Sequence, residues 1–185
     1  MALVPNKKPA KSLLESIPIS EETRAILKRR MGKKYKMSHE LPSSLNLSWY
    51  PDLVDVSALG DVKILYLWGC TGIIDVSMLG NVQKLYIGFC TGVTDVSALG
   101  DVQTLNLKNC TGVTDVSALS NVQVLDLSGC TGITDVSMLG NVQVLDLSEC
   151  TGITNVSALS NVQELYLSGC TGITDFSAVP HARYD

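Results

Sequence analysis

The sequence predicts an α/β solenoid of about seven coils with 20 residues each, preceded by a helical cap, and two observations predict the coils. The first is a repeat of 20 residues that runs from Leu45 to Tyr184. A fixed period of this length is typical of proteins in which each unit packs only on its neighbours. The second is the alternation of apolar and variable residues that begins each repeat, which is the pattern of a strand with one buried face.

Seven positions of each repeat are predicted to face the interior. Leu125 and Leu127 belong to the strand of the fifth repeat, whose Val124 and Asp126 are predicted to point outward. The full inward set in that repeat is Val122, Leu125, Leu127, Cys130, Ile133, Val136 and Leu139. One true strand and a compact return leg would complete each coil.

The return leg is predicted from its turn-forming residues. Asp135 and Ser137 have the spacing of a capped turn or a short 3₁₀ helix. A glycine follows each cysteine by two residues, from Gly72 to Gly172. We expect this glycine to provide a positive φ angle.

Six cysteines occupy one position of the repeat, from Cys70 to Cys170. Side chains in register on adjacent coils point the same way and lie about 4.8 Å apart. The Cβ atoms of two cysteines in a disulfide lie only about 3.8 Å apart, so this arrangement disfavours disulfides. We therefore predict a ladder of buried free thiols, each bonded to a backbone carbonyl. A spacing of 20 residues also lacks the close cysteine pairs of zinc sites.

The repeated aspartates invite a second metal hypothesis, a ladder of calcium sites. A capping role explains this position without a metal, and Asn155 replaces aspartate in one repeat. With only His39 and His181 as histidines, no acid–base pair or activated nucleophile is visible. The sequence predicts a protein that is not an enzyme and binds no metal or cofactor.

The repeat also resembles a known family. The pattern LxxLxLxxN/C of leucine-rich repeat proteins is matched by residues Val122 to Cys130. The phrase Cys130 to Asp135 resembles the cysteine-containing repeats of F-box adaptors, and Val136 to Leu139 resembles the short return leg of bacterial internalins. The resemblance implies a gently curved, right-handed coil with a parallel sheet on its concave side.

The chain divides into three predicted segments: a flexible tail at 1–11, a helical N-terminal cap at 12–40 and the leucine-rich repeat solenoid at 41–185. Residues 1–40 contain ten Lys or Arg and four acidic residues, for a net charge of +6, and residues 41–185 contain four and fourteen, for −10. The acidic body argues against nucleic acid as the main partner. Without a signal peptide or a membrane span in the sequence, we expect a cytoplasmic protein.

The basic helix around Arg29 leaves alternatives open. In the interpretation that we prefer, the basic residues form the solvent-exposed side of a helical cap, and the other side of the cap shields the first repeat. The same charges could contact RNA, acidic lipid or a localisation receptor, or hold the acidic body of a second copy.

The outward positions of the strands vary between repeats, so the fold does not require particular residues there. We predict that they bind a partner. The predicted binding residues are Tyr66, Trp68, Lys84, Tyr86, Phe89, Asn106, Lys108, Asp126, Asp146, Glu164 and Tyr166. Aromatic residues beside acidic ones favour a protein with an apolar anchor and basic residues. In the alternative interpretation, the aromatics only cover the flank of the N-terminal helix and the acids only solvate a surface.

The predicted function is a protein–protein interaction scaffold that binds its partner on the concave sheet face. One alternative is a structural or self-assembling protein that forms a homodimer through a lightly capped C-terminal end containing Phe176 and Val179. Another is a substrate-adaptor subunit of a larger complex, which the resemblance to F-box adaptors implies. The N-terminal match to those adaptors is weak, because Leu41-Pro42 follows the predicted helices instead of preceding them.

Overall fold

Seven short strands stack in sequence order into one parallel sheet in the computed structural model, which describes residues 41–184 together with Glu21, Ala25 and Arg29. The strands are β1 (Ser44–Asn46), β2 (Ile64–Tyr66), β3 (Lys84–Tyr86), β4 (Thr104–Asn106), β5 (Val124–Asp126), β6 (Val144–Asp146) and β7 (Glu164–Tyr166). Each residue pairs with the residue 20 positions further on, as Leu105 does with Leu125. Equal repeat length and equal register therefore place corresponding residues of all repeats in continuous rows.

The return legs contain short 3₁₀ helices, as the sequence predicts. Their bounds are Ser57–Leu59, Ser77–Leu79, Ser97–Leu99, Ser117–Leu119, Ser137–Leu139 and Ser157–Leu159. The backbone N–H of Ser137 donates to Oδ1 of Asp135 at 2.8 Å, and this bond lowers the pKa of the Asp135 carboxyl. Ser157 donates in the same way to Oδ1 of Asn155 at 2.9 Å. An amide oxygen thus accepts the same bond as a carboxylate oxygen, so a local turn bond explains this position without a metal.

The interior is a continuous column of aliphatic side chains and thiols. All seven inward positions predicted for the fifth repeat are buried, and the same positions are buried in the repeats on either side. Because the buried residues of one repeat contact those of the next, the column continues from Leu45 to Val179. Its hydrophobic burial is the main stabilising contribution to a solenoid of this kind.

The cysteine ladder is confirmed: all six thiols are free and buried. Sγ of Cys110 donates to the carbonyl oxygen of Ile87 at 3.2 Å, and that oxygen also accepts the backbone N–H of Cys90 at 3.2 Å. Each of the other five cysteines likewise donates to a carbonyl 23 residues earlier. Burial raises the pKa of Cys130 to about 12, so the thiol form that donates this bond persists at neutral pH.

The prediction of positive φ at the glycine after each cysteine is wrong. Gly112 has an ordinary φ, and a Cβ on it would lie 2.9 Å from the carbonyl oxygen of Val93 and 3.1 Å from that of Thr91. The glycine is required because the backbone of the preceding repeat passes too close for a side chain. Asp52 occupies the same position of the first repeat, which has no preceding repeat to crowd it.

Replacing Gly112 by alanine is expected to lower the free energy of unfolding by about 1–3 kcal/mol, since an added methyl group must push two packed repeats apart. Urea unfolding followed by circular dichroism would measure the change. Asp52→Ala is the matched control, and we expect it to change stability by less than about 0.5 kcal/mol. Equal effects of the two substitutions would contradict the crowding explanation.

The end of the sheet beyond β7 is partly covered by the chain itself. The N–H of Arg183 donates to the carbonyl of Leu165 at 2.8 Å, and the N–H of Leu167 donates to the carbonyl of Arg183 at 2.7 Å. Val179 is fully buried, so it has no surface with which to contact a second copy. A homodimer through this end stays a prediction.

The predicted tail at 1–11 and cap at 12–40 lie outside the described residues, apart from Glu21, Ala25 and Arg29, which are helical and exposed. The three domain boundaries therefore stay predictions. No helix in the described part of the chain is long and apolar enough to cross a membrane.

Candidate functional site

The exposed face of the sheet displays the first and third residues of each strand, because the second residue points into the interior. Tyr66 of β2 and Tyr86 of β3 are register partners. Their rings stack with centroids 4.6 Å apart and an angle of 6° between the planes. Burial of Tyr86, with a smaller contribution from Tyr66, raises the pKa of its phenol. The two rings therefore form one stacked pair on the exposed face of the sheet.

Three further rings form a second group, where the strands pass into the turns. The ring of Phe89 lies 5.6 Å from that of Trp68 and 6.3 Å from that of Trp49. Trp49 has 67% of its surface exposed and Phe89 has 36%. The structure thus gathers five aromatic residues, which we name the aromatic cluster: Trp49, Tyr66, Trp68, Tyr86 and Phe89.

Two glycines make room for the indole rings. A Cβ on Gly88 would lie 3.2 Å from Cζ3 of Trp68, and a Cβ on Gly69 would overlap the ring of Trp49. Each indole therefore rests on the backbone of the following repeat. Support from below restricts the rings, which reduces the entropy lost when a partner contacts them.

The next strands carry amide and carboxylate groups that are fixed by local hydrogen bonds. Oδ1 of Asp126 accepts the N–H and the hydroxyl of Ser128 at 2.9 and 2.7 Å, and Nδ2 of Asn106 donates to Oδ2 of the same carboxylate. Asp146, the register partner of Asp126, accepts the N–H of Ser148 at 2.9 Å. Two adjacent carboxylates held in place in this way can form charge-assisted hydrogen bonds with a guanidinium or ammonium group.

Tyr166 is not brought together with the other aromatic residues. Its hydroxyl donates a hydrogen bond to Oε2 of Glu164 at 3.0 Å and accepts one from Nη1 of Arg183 at 3.2 Å. The guanidinium carbon of Arg183 lies 5.1 Å from the centre of the Tyr166 ring, within the range of a cation–π interaction. This end of the surface is engaged by the chain itself.

The predicted residues therefore fall into an aromatic group on β2 and β3 and a polar group on β4 to β7. Lys108 follows β4 and so lies between the aromatic residues and the carboxylates, whereas Lys84 begins β3, the strand of Tyr86. We name the acidic residues of the later repeats the acidic stripe: Asp126, Asp146, Glu149 and Glu164. Among the described residues, no group of three His, Cys, Asp or Glu side chains could hold a metal ion.

Sequence reasoning missed two residues of this surface, Trp49 and Arg183. Trp49 occupies the same repeat position as Phe89, and this shared position was the signal that could have identified it. Arg183 reaches the surface because the chain bridges back to Tyr166. No signal in the repeat pattern predicts that contact.

Comparison with known proteins finds similarity at the level of structure. No family model matches the chain, and no curated protein sequence matches it. The internalin InlF of Listeria monocytogenes is similar with a TM-score of 0.62 and 19% identity, over 94% of this chain and 64% of that one. The chain thus spans less than two thirds of the length of that internalin.

Two other solved structures are more distant. The leucine-rich repeat domain of the type III effector XopL has a TM-score of 0.48 and 14% identity, over 88% of this chain and 80% of that one. The functional domain of InlJ from Listeria monocytogenes, which includes a cysteine ladder, has a TM-score of 0.40 and 16% identity, over 77% and 47%.

The in-register parallel sheet and the 3₁₀ return legs at a regular spacing agree with the similarity to InlF. At 19% identity that similarity concerns the fold. Residues 41–184 have the leucine-rich repeat fold.

Proposed function

We propose that this protein is a protein–protein interaction scaffold and that it binds its partner on the exposed face of the sheet. The observation that carries the proposal is the aromatic cluster: five rings outside the interior column, in which Tyr66 stacks on Tyr86 and Phe89 contacts Trp49 and Trp68. Aromatic residues gathered on a rigid surface are typical of the energetically dominant part of a protein interface.

The fold does not require these rings. The position of Tyr66 and Tyr86 is occupied by Asn46, Asn106 and Asp126 in other repeats, with the same strand and the same register. The repeats are thus internal controls for one another, and they show that a polar residue is compatible with the coil. Single exposed apolar residues are ordinary on a protein surface, but a stacked pair and a group of three rings on the same sheet face support a binding role.

The acidic stripe supports a partner with basic residues. The carboxylates of Asp126 and Asp146 are adjacent and fixed by hydrogen bonds, and the body that carries them has an excess of acidic residues. Complementary charge would speed association and orient the partner along the sheet. The partner that fits both halves carries an apolar anchor and a basic region.

We also propose that the protein is not an enzyme. The most reactive side chains among the described residues are the six cysteines, and burial raises the pKa of Cys90, Cys130 and Cys150 to about 12. A thiol that is buried and protonated is not a nucleophile. This leaves recognition as the role that the described surface supports.

A capture experiment with the intact chain tests the binding surface. Proteins retained by the immobilised wild type would be identified and quantified by mass spectrometry, and the capture repeated with a Trp68→Ala, Tyr86→Ala double variant. We expect the specific partner to be retained at least about tenfold less, because the substitutions remove two central rings.

The matched control for this capture is a Met78→Ala, Met138→Ala double variant. Both methionines are exposed but lie in the 3₁₀ return legs, away from the sheet face. We expect the control to retain the partner as the wild type does. If the aromatic variant also retained it fully, the sheet face would not be the binding surface.

A further inference from the structure

One row of residues has a left-handed backbone in every repeat, and we name it the ridge row. It lies just before the cysteine position, where the strand passes into the turn. Its members, with φ between 56° and 73°, are Trp49, Gly69, Phe89, Asn109, Gly129, Glu149 and Gly169. A left-handed backbone is the natural place for glycine, since a side chain there contacts the following carbonyl.

The row contains its own control for what the fold needs. Gly69, Gly129 and Gly169 show that glycine satisfies this turn in three repeats. Asn109 is the residue type that best tolerates a left-handed backbone apart from glycine. Trp49, Phe89 and Glu149 have no such tolerance, so the fold carries a steric penalty at these three positions. A strained residue that the fold does not need is an indicator of function.

The two aromatic members of the row lean towards each other. They are two repeats apart, which on a parallel sheet corresponds to about 9.6 Å, yet their ring centroids are only 6.3 Å apart. Trp49 covers the bare backbone of Gly69, and Phe89 also contacts the ring of Trp68 in the repeat between them. The ridge row therefore ends, at this side of the sheet, in an exposed apolar projection.

The acidic member of the row is displayed in a similar way. A Cβ on Gly169 would lie 3.4 Å from Cγ of Glu149, so the Glu149 side chain extends over the glycine of the next repeat. The side chain is exposed. It belongs to the same repeat as Asp146 of the acidic stripe. Phe89 and Glu149 are three repeats apart, or about 14 Å along the sheet.

We infer that the ridge row determines the specificity of the binding surface for an extended basic polypeptide. Trp49 and Phe89 contact an apolar side chain of this ligand, and Glu149 contacts a Lys or Arg of the same segment. At about 3.3 Å per residue of extended chain, the two side chains are four or five positions apart. The inference rests on the proposed function, and it adds one residue, Trp49, that the strand pattern did not predict.

A random peptide library displayed on phage and selected on the intact protein provides the ligand for the test. Dissociation constants of the selected synthetic peptides would be measured for the wild type and for Phe89→Gly, Glu149→Gly and the control Asn109→Gly. We expect an apolar and a basic residue four or five positions apart. Phe89→Gly and Glu149→Gly are expected to weaken binding about 10- to 100-fold, and Asn109→Gly less than about twofold.

Thermal unfolding of the same variants separates binding from folding. Because glycine relieves the left-handed backbone, the melting temperature of Glu149→Gly is expected to equal or exceed that of the wild type. Phe89→Asn provides a second variant at the aromatic position, with a residue that tolerates the backbone. A large loss of melting temperature for Glu149→Gly would show that the side chain serves the fold, and would overturn the inference.

Other outcomes distinguish the inference from the function on which it rests. Peptides that bind both glycine variants as tightly as the wild type would overturn the role of the ridge row and leave the scaffold proposal intact. Selected peptides without basic residues would also overturn it. Self-association that Glu149→Gly abolishes would assign the row to a second copy instead. No peptide binding, together with unchanged capture by the Trp68→Ala, Tyr86→Ala variant, would remove both proposals.

Discussion

Above about pH 9, the free energy of unfolding is expected to fall steeply as the pH rises. Six thiols are buried in the folded protein, and burial raises the pKa of every one of them, to about 12 for Cys90, Cys130 and Cys150. In the unfolded chain the same thiols ionise near pH 9. Between these two values the unfolded state binds fewer protons than the folded state, so rising pH favours unfolding.

The expected size of this effect is large. Each thiol that is ionised only in the unfolded chain lowers stability by about 1.4 kcal/mol per pH unit. Several thiols acting together approach the total stability of an ordinary domain, about 5–15 kcal/mol. Tyr86, whose pKa is also raised by burial, acts in the same direction at higher pH. The contribution of the thiols is fully present below pH 9 and is lost as the pH approaches 12.

Urea unfolding in the presence of a reductant, repeated from pH 7.5 to 10.5, would measure this dependence. Cys130→Ala is the informative control, because it removes one titrating thiol. It should reduce the slope of stability against pH, whatever it does to stability at pH 7.5. A slope that is unchanged in this variant would show that other groups cause the alkaline unfolding.

The substitution Leu105→Ala is expected to lower the free energy of unfolding by about 2–5 kcal/mol. Leu105 is 1% exposed and lies in the central strand, between its register partners Leu85 and Leu125. Its side chain therefore packs on repeats in both directions. Truncation would leave a cavity that a column of fixed spacing cannot close, so the transfer and cavity contributions both apply.

The control for this prediction is Thr104→Ala, on the same strand but outward-facing. It should change stability by less than about 0.5 kcal/mol. Both variants would be unfolded with urea and followed by circular dichroism, with attention to whether one transition remains, since coupling between neighbouring repeats maintains cooperativity. Similar losses for the two residues would contradict the assigned inside and outside of β4.

Much of the fold could be predicted because the repeats have equal length. Once the strand was recognised in one repeat, the 20-residue period determined the register of all the others. Inward positions such as Leu125 and Cys130 followed from the same argument. The 3₁₀ helix could be predicted from Asp135 and Ser137 because the turn bond that leads into it is local, between residues two positions apart.

The role of the glycine at the position of Gly112 could not be predicted in this way. Glycine is used both for positive φ and for close approach, and a sequence does not distinguish the two uses. The reason is a contact with Val93 and Thr91 of the preceding repeat, so it depends on how far apart the repeats pack. Asp52 was the available indication, since it shows that a side chain fits where no repeat precedes.

The residues of the exposed sheet face were predicted where they depend on register and missed where they depend on the turn. Tyr66 and Tyr86 are adjacent because their strands pair. Trp49 was missed because the alternation of a strand ends before it, and its left-handed backbone directs the ring onto the next repeat. The contact between Arg183 and Tyr166 depends on the path of the chain after the last repeat.

The constant register of the strands makes this surface adjustable in fixed steps. Inserting one more 20-residue unit between the fourth and fifth repeats would preserve every pairing on both sides of the insertion. It would move the aromatic cluster and the acidic stripe apart by a single strand spacing, about 4.8 Å. Peptides with the proposed spacing of an apolar and a basic residue would then be too short by one or two residues. In a coil of this kind, the number of repeats determines the distance between the two groups of side chains, in steps of one strand spacing.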